Sequence, residues 1–186
     1  RLVSDWSSDV CSSDLPAAGR PLVLMTAHRR ESFGAGFDQI CDAALRVAGE
    51  LGAQIIYPVH PNPSVREVVR RRLWGVPGIT LLDPIDYVPF VDLMRRADLL
   101  LTDSGGIQEE GPALGKPVLV MRDKTERPEA VEAGAAELVG TCPERITNAV
   151  AAALARTAGA PRRDTLFGDG QASHRIAELI QSFQNR

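Results

Sequence analysis

Short apolar runs alternate with amphipathic stretches from Pro21 to the end of the chain. The run PLVLMT (Pro21–Thr26) is nearly continuous, which is typical of a parallel strand covered on both faces. Five later runs have the same character, and each is separated from the next by a stretch long enough for a helix. They predict strands over Ala53–Val59, Gly78–Asp83, Asp98–Thr102, Lys116–Met121 and Ala136–Gly140. This alternation predicts the α/β class, with a doubly wound, Rossmann-like parallel sheet.

The stretches between the strands carry apolar residues at helical spacing. One such series extends from Phe37 to Leu51, and Gly52 stands where that helix would stop. Ser64 is the expected N-cap of the next helix. A third helix is expected to place Val88, Val91 and Met94 on one side, and Pro128 is a plausible first residue of a later one. Two more helices are predicted over Pro143–Arg156 and Asp169–Phe183.

The composition and charge of the chain limit the kinds of partner that it is expected to bind. The chain has 186 residues, 44% of them hydrophobic and 24% charged, so it can bury one sizeable core. The net charge of −3 is spread along the chain without a Lys/Arg block, which argues against nucleic-acid and membrane partners and favours a small molecule. With no apolar run of about 18 residues and no signal pattern, a soluble cytoplasmic protein is expected. The three cysteines show no metal-ligand spacing.

The first fifteen residues differ from the rest. RLVSDWSSDVCSSDL repeats Ser-Ser-Asp and fits neither a strand nor a helix period. It resembles translated adapter sequence from a sequencing read, so we expect residues 1–15 to be foreign to the fold. Residues 16–186 are then expected to form one domain, and the native protein is expected to extend further upstream.

Polar residues follow four of the predicted strands directly. His28-Arg29-Arg30-Glu31 follows the first, His60 the second, Asp103-Ser104-Gly105-Gly106 the fourth and Arg122-Asp123 the fifth. In open α/β sheets, ligands bind in the crevice beyond the carboxyl ends of the strands. The sequence therefore predicts a ligand site at this edge of the sheet.

The segment LTDSGGIQEEGP combines an anion site with carboxylates. Gly105 and Gly106 let a ligand approach the main chain, and free N–H groups at a helix start attract an anion. A tight turn without a ligand would explain the glycines equally well. Glu110 lies one helical turn beyond Gly106, about 6 Å from the anion site, where it can accept hydrogen bonds from hydroxyls. Glu109 is expected to point elsewhere into solvent, and a nucleoside diphosphate fits the pattern.

Other candidates are open to more than one interpretation. His28 with Arg29 and Arg30 offers a titratable ring and guanidinium groups that match phosphate, but a solvated turn explains them as well. His60, between prolines, could have only a structural hydrogen bond. Arg127 could reach a ligand or pair with a neighbouring acid, and Phe90 could be core or stack on a base.

Four segments together resemble the C-terminal domain of the non-hydrolysing UDP-N-acetylglucosamine 2-epimerases. They are TAHRRESFG, YPVHPNP, LTDSGGIQEEGPALGKPVLVMRDKTERPEAVEAG and FGDGQAS. The resemblance implies the C-terminal half of a glycosyltransferase-B-like two-domain fold. It also implies interconversion of UDP-N-acetylglucosamine (UDP-GlcNAc) and UDP-N-acetylmannosamine (UDP-ManNAc), by elimination and re-addition of UDP, for bacterial polysaccharides. No cofactor or metal is implied.

The resemblance also implies roles for individual residues. His28 is implied to be the catalytic-site histidine, beside the phosphates of the leaving UDP. UDP contacts are implied for Ser104, Gly105 and Gly106 (diphosphate), Glu110 (ribose), Phe90 (near the uracil) and Arg127 (UDP or its sugar). Arg29 and His60 match positions that bind a second, allosteric UDP-GlcNAc in bacterial members.

The family pattern is incomplete in this sequence. Its acids for proton transfer at C2 lie in an N-terminal domain, and nothing before Pro21 could supply them. The chain is therefore expected to lack activity alone and, at full length, to form a homodimer. A hydrolysing 2-epimerase, a UDP-sugar glycosyltransferase and a non-catalytic nucleotide-sugar-binding module remain alternatives.

Overall fold

The computed structural model describes residues 19–156 and 166–184. Residues 1–15, expected to be foreign to the fold, lie outside the described part. No helix within the described residues is long and apolar enough to cross a membrane.

Six parallel strands form one sheet in this part of the chain, in the order β3-β2-β1-β4-β5-β6. This is the strand order of Rossmann-type folds, in which the direction of winding reverses between β1 and β4. Each strand lies inside an apolar run identified from the sequence, so the predicted fold class is confirmed. The strands are β1 (Leu22–Thr26), β2 (Gln54–Pro58), β3 (Ile79–Leu82), β4 (Leu99–Thr102), β5 (Val118–Val120) and β6 (Ala136–Leu138).

Helices connect the strands and cover both faces of the sheet. They are α1 (Ala35–Glu50), α2 (Pro63–Leu73), α3 (Tyr87–Arg96), α4 (Gly105–Ala113), α5 (Pro128–Glu132), α6 (Pro143–Arg156) and α7 (Ala172–Gln184). Strand β1 shows why its apolar run is continuous. Val23 and Met25 belong to the core cluster that contains residues of α1, α2 and α6. Leu22 and Leu24 belong to the cluster on the other face, with residues of α3, α4 and α5.

Two local predictions were wrong. The cap of α2 is Asn62, whose side chain accepts a hydrogen bond from the Ser64 N–H at 2.9 Å, while Pro63 occupies the first turn. In α3, Val88 is 78% exposed, and Leu93 and Met94 form the buried face instead. The cap was visible locally, because an asparagine followed by proline is itself a helix-start signal, whereas the exposure of Val88 depends on tertiary packing.

Helix α4 lies close against the sheet at Gly111. A Cβ at Gly111 would lie 2.5 Å from Val118 Cγ2 and 2.8 Å from Leu100 Cδ1, both side chains of the strands beneath it. This contact sets the height of α4 above β4 and β5, and so the position of its N-terminus.

We predict that Gly111→Ala lowers the free energy of unfolding by about 1–3 kcal/mol, because the new methyl group forces α4 away from the sheet. Urea denaturation measures the change. Gly49→Ala is the matched control, since Gly49 lies in α1 with nothing within 4 Å of an added Cβ. That substitution should stabilise the fold by about 0.5–1 kcal/mol. Equal effects of the two substitutions would contradict the packing argument.

Candidate functional site

A cavity of about 320 Å³ opens at the carboxyl ends of β1, β2 and β4, beside the reversal point of the sheet. Because β1 and β4 pair in register, with Thr26 opposite Thr102, the turns that follow them meet at this edge. We refer to this space as the β1–β4 cavity. Six of the site residues predicted from the sequence line it: His28, His60, Phe90, Ser104, Gly106 and Glu110.

The turn after β4 presents the N-terminus of α4 to the β1–β4 cavity. We refer to residues 104–106 as the Ser-Gly-Gly turn. Ser104 is the N-cap residue, yet its side chain makes no capping hydrogen bond. Its N–H donates to Thr102 Oγ1 at 3.0 Å, and that hydroxyl lies 2.6 Å from Thr26 Oγ1. The turn is thus fixed from behind, while its first helical N–H groups are free to bind an anion.

Glu110 closes the same side of the cavity. Its Oε1 would lie 3.9 Å from a Cβ built on Gly106, so the carboxylate borders the cavity beside the first turn of α4. Burial, and secondarily the neighbouring Glu109, raises the pKa of Glu110 above its ordinary value. A carboxylate that has lost part of its hydration gains from hydroxyl donors, which a ligand in this cavity can supply.

The turn after β1 is held by a buried acid, Asp103. One oxygen, Oδ2, accepts hydrogen bonds from the main-chain N–H groups of His28 (2.6 Å) and Arg29 (2.7 Å). The other, Oδ1, lies 3.0 Å from Nδ1 of the His28 ring. Asp103 is completely buried. It therefore joins the two turns that form the β1–β4 cavity.

The rings of His28 and His60 stack in this cavity. Their centroids lie 5.2 Å apart and their planes differ by 13°. His60 Nδ1 accepts a hydrogen bond from the Asn62 N–H at 3.2 Å, which leaves Nε2 of His60 as its donor. His60 thus has the structural hydrogen bond considered from the sequence and also borders the cavity.

Three arginines near the Ser-Gly-Gly turn are engaged by carboxylates. Arg122 is 8% exposed and is held by Glu31 (Nε to Oε1, 2.5 Å) and by Glu126 (Nη1 to Oε2, 2.6 Å). Arg29 Nη1 lies 3.7 Å from Glu126, and its Nη2 would lie 3.6 Å from a Cβ on Gly105. The guanidinium of Arg29 therefore adds positive charge beside the start of α4.

Arg127 forms an ion pair with Glu109 and does not line the cavity. Glu109 does not line the cavity either, as predicted, and its side chain is 36% exposed beside the Arg127 guanidinium. Of the two roles left open for Arg127, the structure shows the acid pair. Its N–H also donates to Thr125 Oγ1 at 3.0 Å, which fixes the loop between β5 and α5.

Sequence reasoning assigned no role to Gln108 or Asp103. Gln108 is completely buried: its Nε2 donates to the Ser104 carbonyl at 3.1 Å, and its Oε1 accepts from Thr125 Oγ1. It thereby ties the Ser-Gly-Gly turn to the loop that carries Arg127. The sequence signal for Gln108 was an amide side chain four residues after an N-cap serine. For Asp103 there was no local signal, because its position opposite β1 follows only from the sheet order. No group of three or more His, Cys, Asp or Glu side chains in the described residues is arranged to hold a metal ion.

Comparison with known proteins gives consistent results. The family model described as UDP-N-acetylglucosamine 2-epimerase matches residues 4–181. The chain is 50% identical to the UDP-N-acetylglucosamine 2-epimerase of Escherichia coli (strain K12), over 95% of this chain and 50% of that protein. The chain thus spans about half the length of the curated relatives it matches.

Two solved structures of similar proteins contain ligands. The Neisseria meningitidis UDP-GlcNAc 2-epimerase bound to UDP-GlcNAc has a TM-score of 0.80 and 39% identity, covering 88% of this chain and 45% of that one. The Staphylococcus aureus MnaA–UDP co-structure has a TM-score of 0.81 and 36% identity, covering 94% and 51%. A kitacinnamycin glycotransferase, 20% identical with a TM-score of 0.60, shares the fold.

The Arg122–Glu126 pair predicts an acid-dependent loss of stability. Hydrogen bonds donated by Arg122 lower the pKa of Glu126 from 4.5 to about 2. A lowered folded-state pKa stabilises the fold above pH 4.5, and the contribution is lost as the pH falls toward about 2. In urea denaturation across this range, the wild type should exceed Glu126→Gln in stability above pH 4.5, and the difference should shrink below it.

The control for this prediction is Glu67→Gln, on the exposed side of α2. It should show a smaller difference from the wild type with little dependence on pH. A difference for Glu126→Gln that stays constant down to pH 2 would contradict the role of the pair.

Proposed function

The chain belongs to the UDP-N-acetylglucosamine 2-epimerase family, and we propose that it supplies the UDP-binding half of an isomerase that interconverts UDP-GlcNAc and UDP-ManNAc. One observation carries the proposal. The β1–β4 cavity places the open N-terminus of α4 and the Glu110 carboxylate on the same wall, one helical turn apart. An anion and a pair of hydroxyls on one ligand satisfy both, and UDP contains them as diphosphate and ribose.

The diphosphate half of the proposal rests on the Ser-Gly-Gly turn. Ser104, Gly105 and Gly106 would bind phosphate oxygens through main-chain N–H groups, assisted by the helix dipole. Arg29 lies beside Gly105 and adds to the positive potential. Arg127 is paired with Glu109 in the free chain, so contact with UDP or its sugar requires it to exchange that partner.

The nucleoside half rests on Glu110 and on α3. The Glu110 carboxylate would accept hydrogen bonds from the ribose hydroxyls, which offset its lost hydration. Phe90 of α3 lines the β1–β4 cavity together with the exposed Tyr87, and it is partly buried against the core. An aromatic wall suits the flat face of uracil.

His28 would act on the leaving group. Elimination removes the proton at C2 of the sugar and breaks the C1–O bond, so a 2-acetamidoglucal forms and UDP departs with the bonding electrons on its β-phosphate oxygen. His28 lines the cavity near the Ser-Gly-Gly turn, where it would donate a hydrogen bond to that oxygen. Protonation of C2 on the opposite face and re-addition of UDP would then give the epimer.

The acids that move the C2 proton are proposed to lie in the half of the relatives' length that this chain does not span. The exposed apolar side chains of α7, Ile176, Leu179, Ile180 and Phe183, support a further domain that covers them. We further propose a homodimer at full length, a cytoplasmic location, and residues 16–186 as the native domain.

A second UDP-GlcNAc near Arg29 and His60 is part of the same proposal. His60 borders the β1–β4 cavity and stacks on His28, so a ligand that contacts His60 would also affect the catalytic-site ring. Arg29 follows His28 directly in the sequence, and its guanidinium lies beside Gly105. The two residues are therefore near the first ligand rather than remote from it.

We predict that the wild-type chain binds UDP measurably by calorimetry at concentrations up to about 1 mM. Glu110→Gln should weaken binding roughly 10- to 100-fold, because hydrogen bonds to a charged acceptor are lost. Since burial raises the pKa of Glu110, the neutral amide should not destabilise the free chain at neutral pH, and its thermal midpoint should equal or exceed that of the wild type.

The pH dependence gives a second criterion for Glu110. Ribose hydroxyls favour the ionised acid, so wild-type affinity should approach that of Glu110→Gln as the pH falls through the raised pKa. Ionisation of UDP itself affects both proteins equally. Glu129→Gln, an exposed acid in α5, is the control and should bind as the wild type does. Absence of UDP binding by the wild type would refute the proposed function.

We predict no epimerisation of UDP-GlcNAc by the 186-residue chain, because the acids for the C2 proton are proposed to lie in the half of the relatives' length that this chain does not span. NMR of the sugar signals would detect UDP-ManNAc, and solvent deuterium at C2 would detect even partial reaction. The full-length Escherichia coli relative, assayed in parallel, is the control. Formation of UDP-ManNAc by the chain alone would contradict this prediction, and accumulation of free N-acetylmannosamine by a full-length form would favour the hydrolysing alternative.

A further inference from the structure

The carboxylate of Asp103 has one oxygen that the main chain does not use. Oδ2 receives the N–H groups of His28 and Arg29, which is enough to hold the turn. Oδ1 is buried and receives no well-aligned hydrogen bond within the described residues. An unsatisfied buried acceptor is destabilising, and more so when it is charged. The nearest ring nitrogen is Nδ1 of His28, at 3.0 Å.

We infer that Asp103 is a positioning residue for His28: it holds the ring as the tautomer with its proton on Nδ1. A proton on Nδ1 faces the charge of Oδ1 at 3.0 Å, which is attractive even without a well-aligned hydrogen bond, whereas a lone pair on Nδ1 would face a buried anion. Nε2 is then left at the opposite edge of the ring. Because His28 lines the β1–β4 cavity, that nitrogen is available to a ligand.

Contacts from two further residues restrict the ring and its turn. His60 stacks on the face of the His28 imidazole, which limits rotation of the ring. Tyr57 donates its hydroxyl to the Ala27 carbonyl at 2.8 Å, just before the turn. The main chain on either side of His28 is therefore anchored by a phenol and by a carboxylate. An aspartate that served only the turn would not need its second oxygen beside the ring.

This inference rests on the proposed function, because that function requires Nε2 of His28 to contact the departing phosphate oxygen. With Nδ1 directed at Asp103, Nε2 is the nitrogen that faces the cavity, and a proton carried there can be donated toward the departing phosphate oxygen. The opposite tautomer would fix an Nε2–H that can donate but leaves no acceptor on the cavity side. Asp103 thus determines which proton chemistry His28 can perform.

Long-range ¹H–¹⁵N spectra of the imidazole nitrogens test the assignment directly. The chain contains three histidines, His28, His60 and His174, and loss of one set of signals in His28→Gln identifies the relevant one. In the wild type, neutral His28 should carry its proton on Nδ1. Neutral His28 with the proton on Nε2 would overturn the inference without any further variant.

Asp103→Asn provides the second test. The two main-chain N–H groups require the amide oxygen, so the NH₂ group must face the ring, and His28 Nδ1 must become an acceptor. We expect the neutral tautomer to invert, so that the proton lies on Nε2. An unchanged tautomer in a folded Asp103→Asn chain would refute the inference.

Asp98→Asn is the matched control, because Asp98 also joins β4 to β1, accepting the Leu22 N–H at 2.8 Å at the other end of the strands. It should leave the His28 spectrum and UDP affinity unchanged. The two proposals fail separately: a wild type that does not bind UDP refutes the proposed function, while the tautomer alone decides the role of Asp103.

Discussion

The pairing of β1 with β4 is the constraint on which the site depends. The two strands are distant in sequence, yet their register places Thr26 opposite Thr102 and leaves the following turns in contact. Hydroxyl and carboxylate groups of the two strand ends then satisfy one another and the main chain of the turns. These hydrogen bonds compensate the burial of the polar groups, so the geometry of the crevice follows from the geometry of the sheet.

Carboxylates near an anion site would weaken it unless they were neutralised. Here Glu31 and Glu126 share Arg122, and Glu109 is paired with Arg127. These pairs keep the arginines ordered around the Ser-Gly-Gly turn while removing most of the negative charge. Glu110 forms no ion pair with the residues that the structure describes, and its raised pKa reflects burial. The site thereby contains an electropositive region at the Ser-Gly-Gly turn and, separate from it, the unpaired carboxylate of Glu110.

Much of the architecture was accessible from the sequence because parallel strands buried on both faces leave a continuous apolar signature. The strand-end rule then located the crevice, and His28, His60, Ser104 and Glu110 line its cavity as expected. Side-chain partners were not accessible in the same way. The pairing of Glu109 with Arg127, and the contact of Asp103 with the turn of β1, join residues far apart in sequence. Local pattern contains no information about such contacts until the strand order is known.

The hydrogen bonds of Gln108 couple two segments of the site. A single buried amide holds the carbonyl at the start of α4 and, through Thr125, the main chain of Arg127. A shift of either segment would move the other. Binding at the helix start and rearrangement of the loop that carries Arg127 would therefore be thermodynamically linked. By reciprocity, whatever orders the loop must also favour occupancy of the turn. A side chain that contacts no ligand would in this way make two binding elements behave as one cooperative unit.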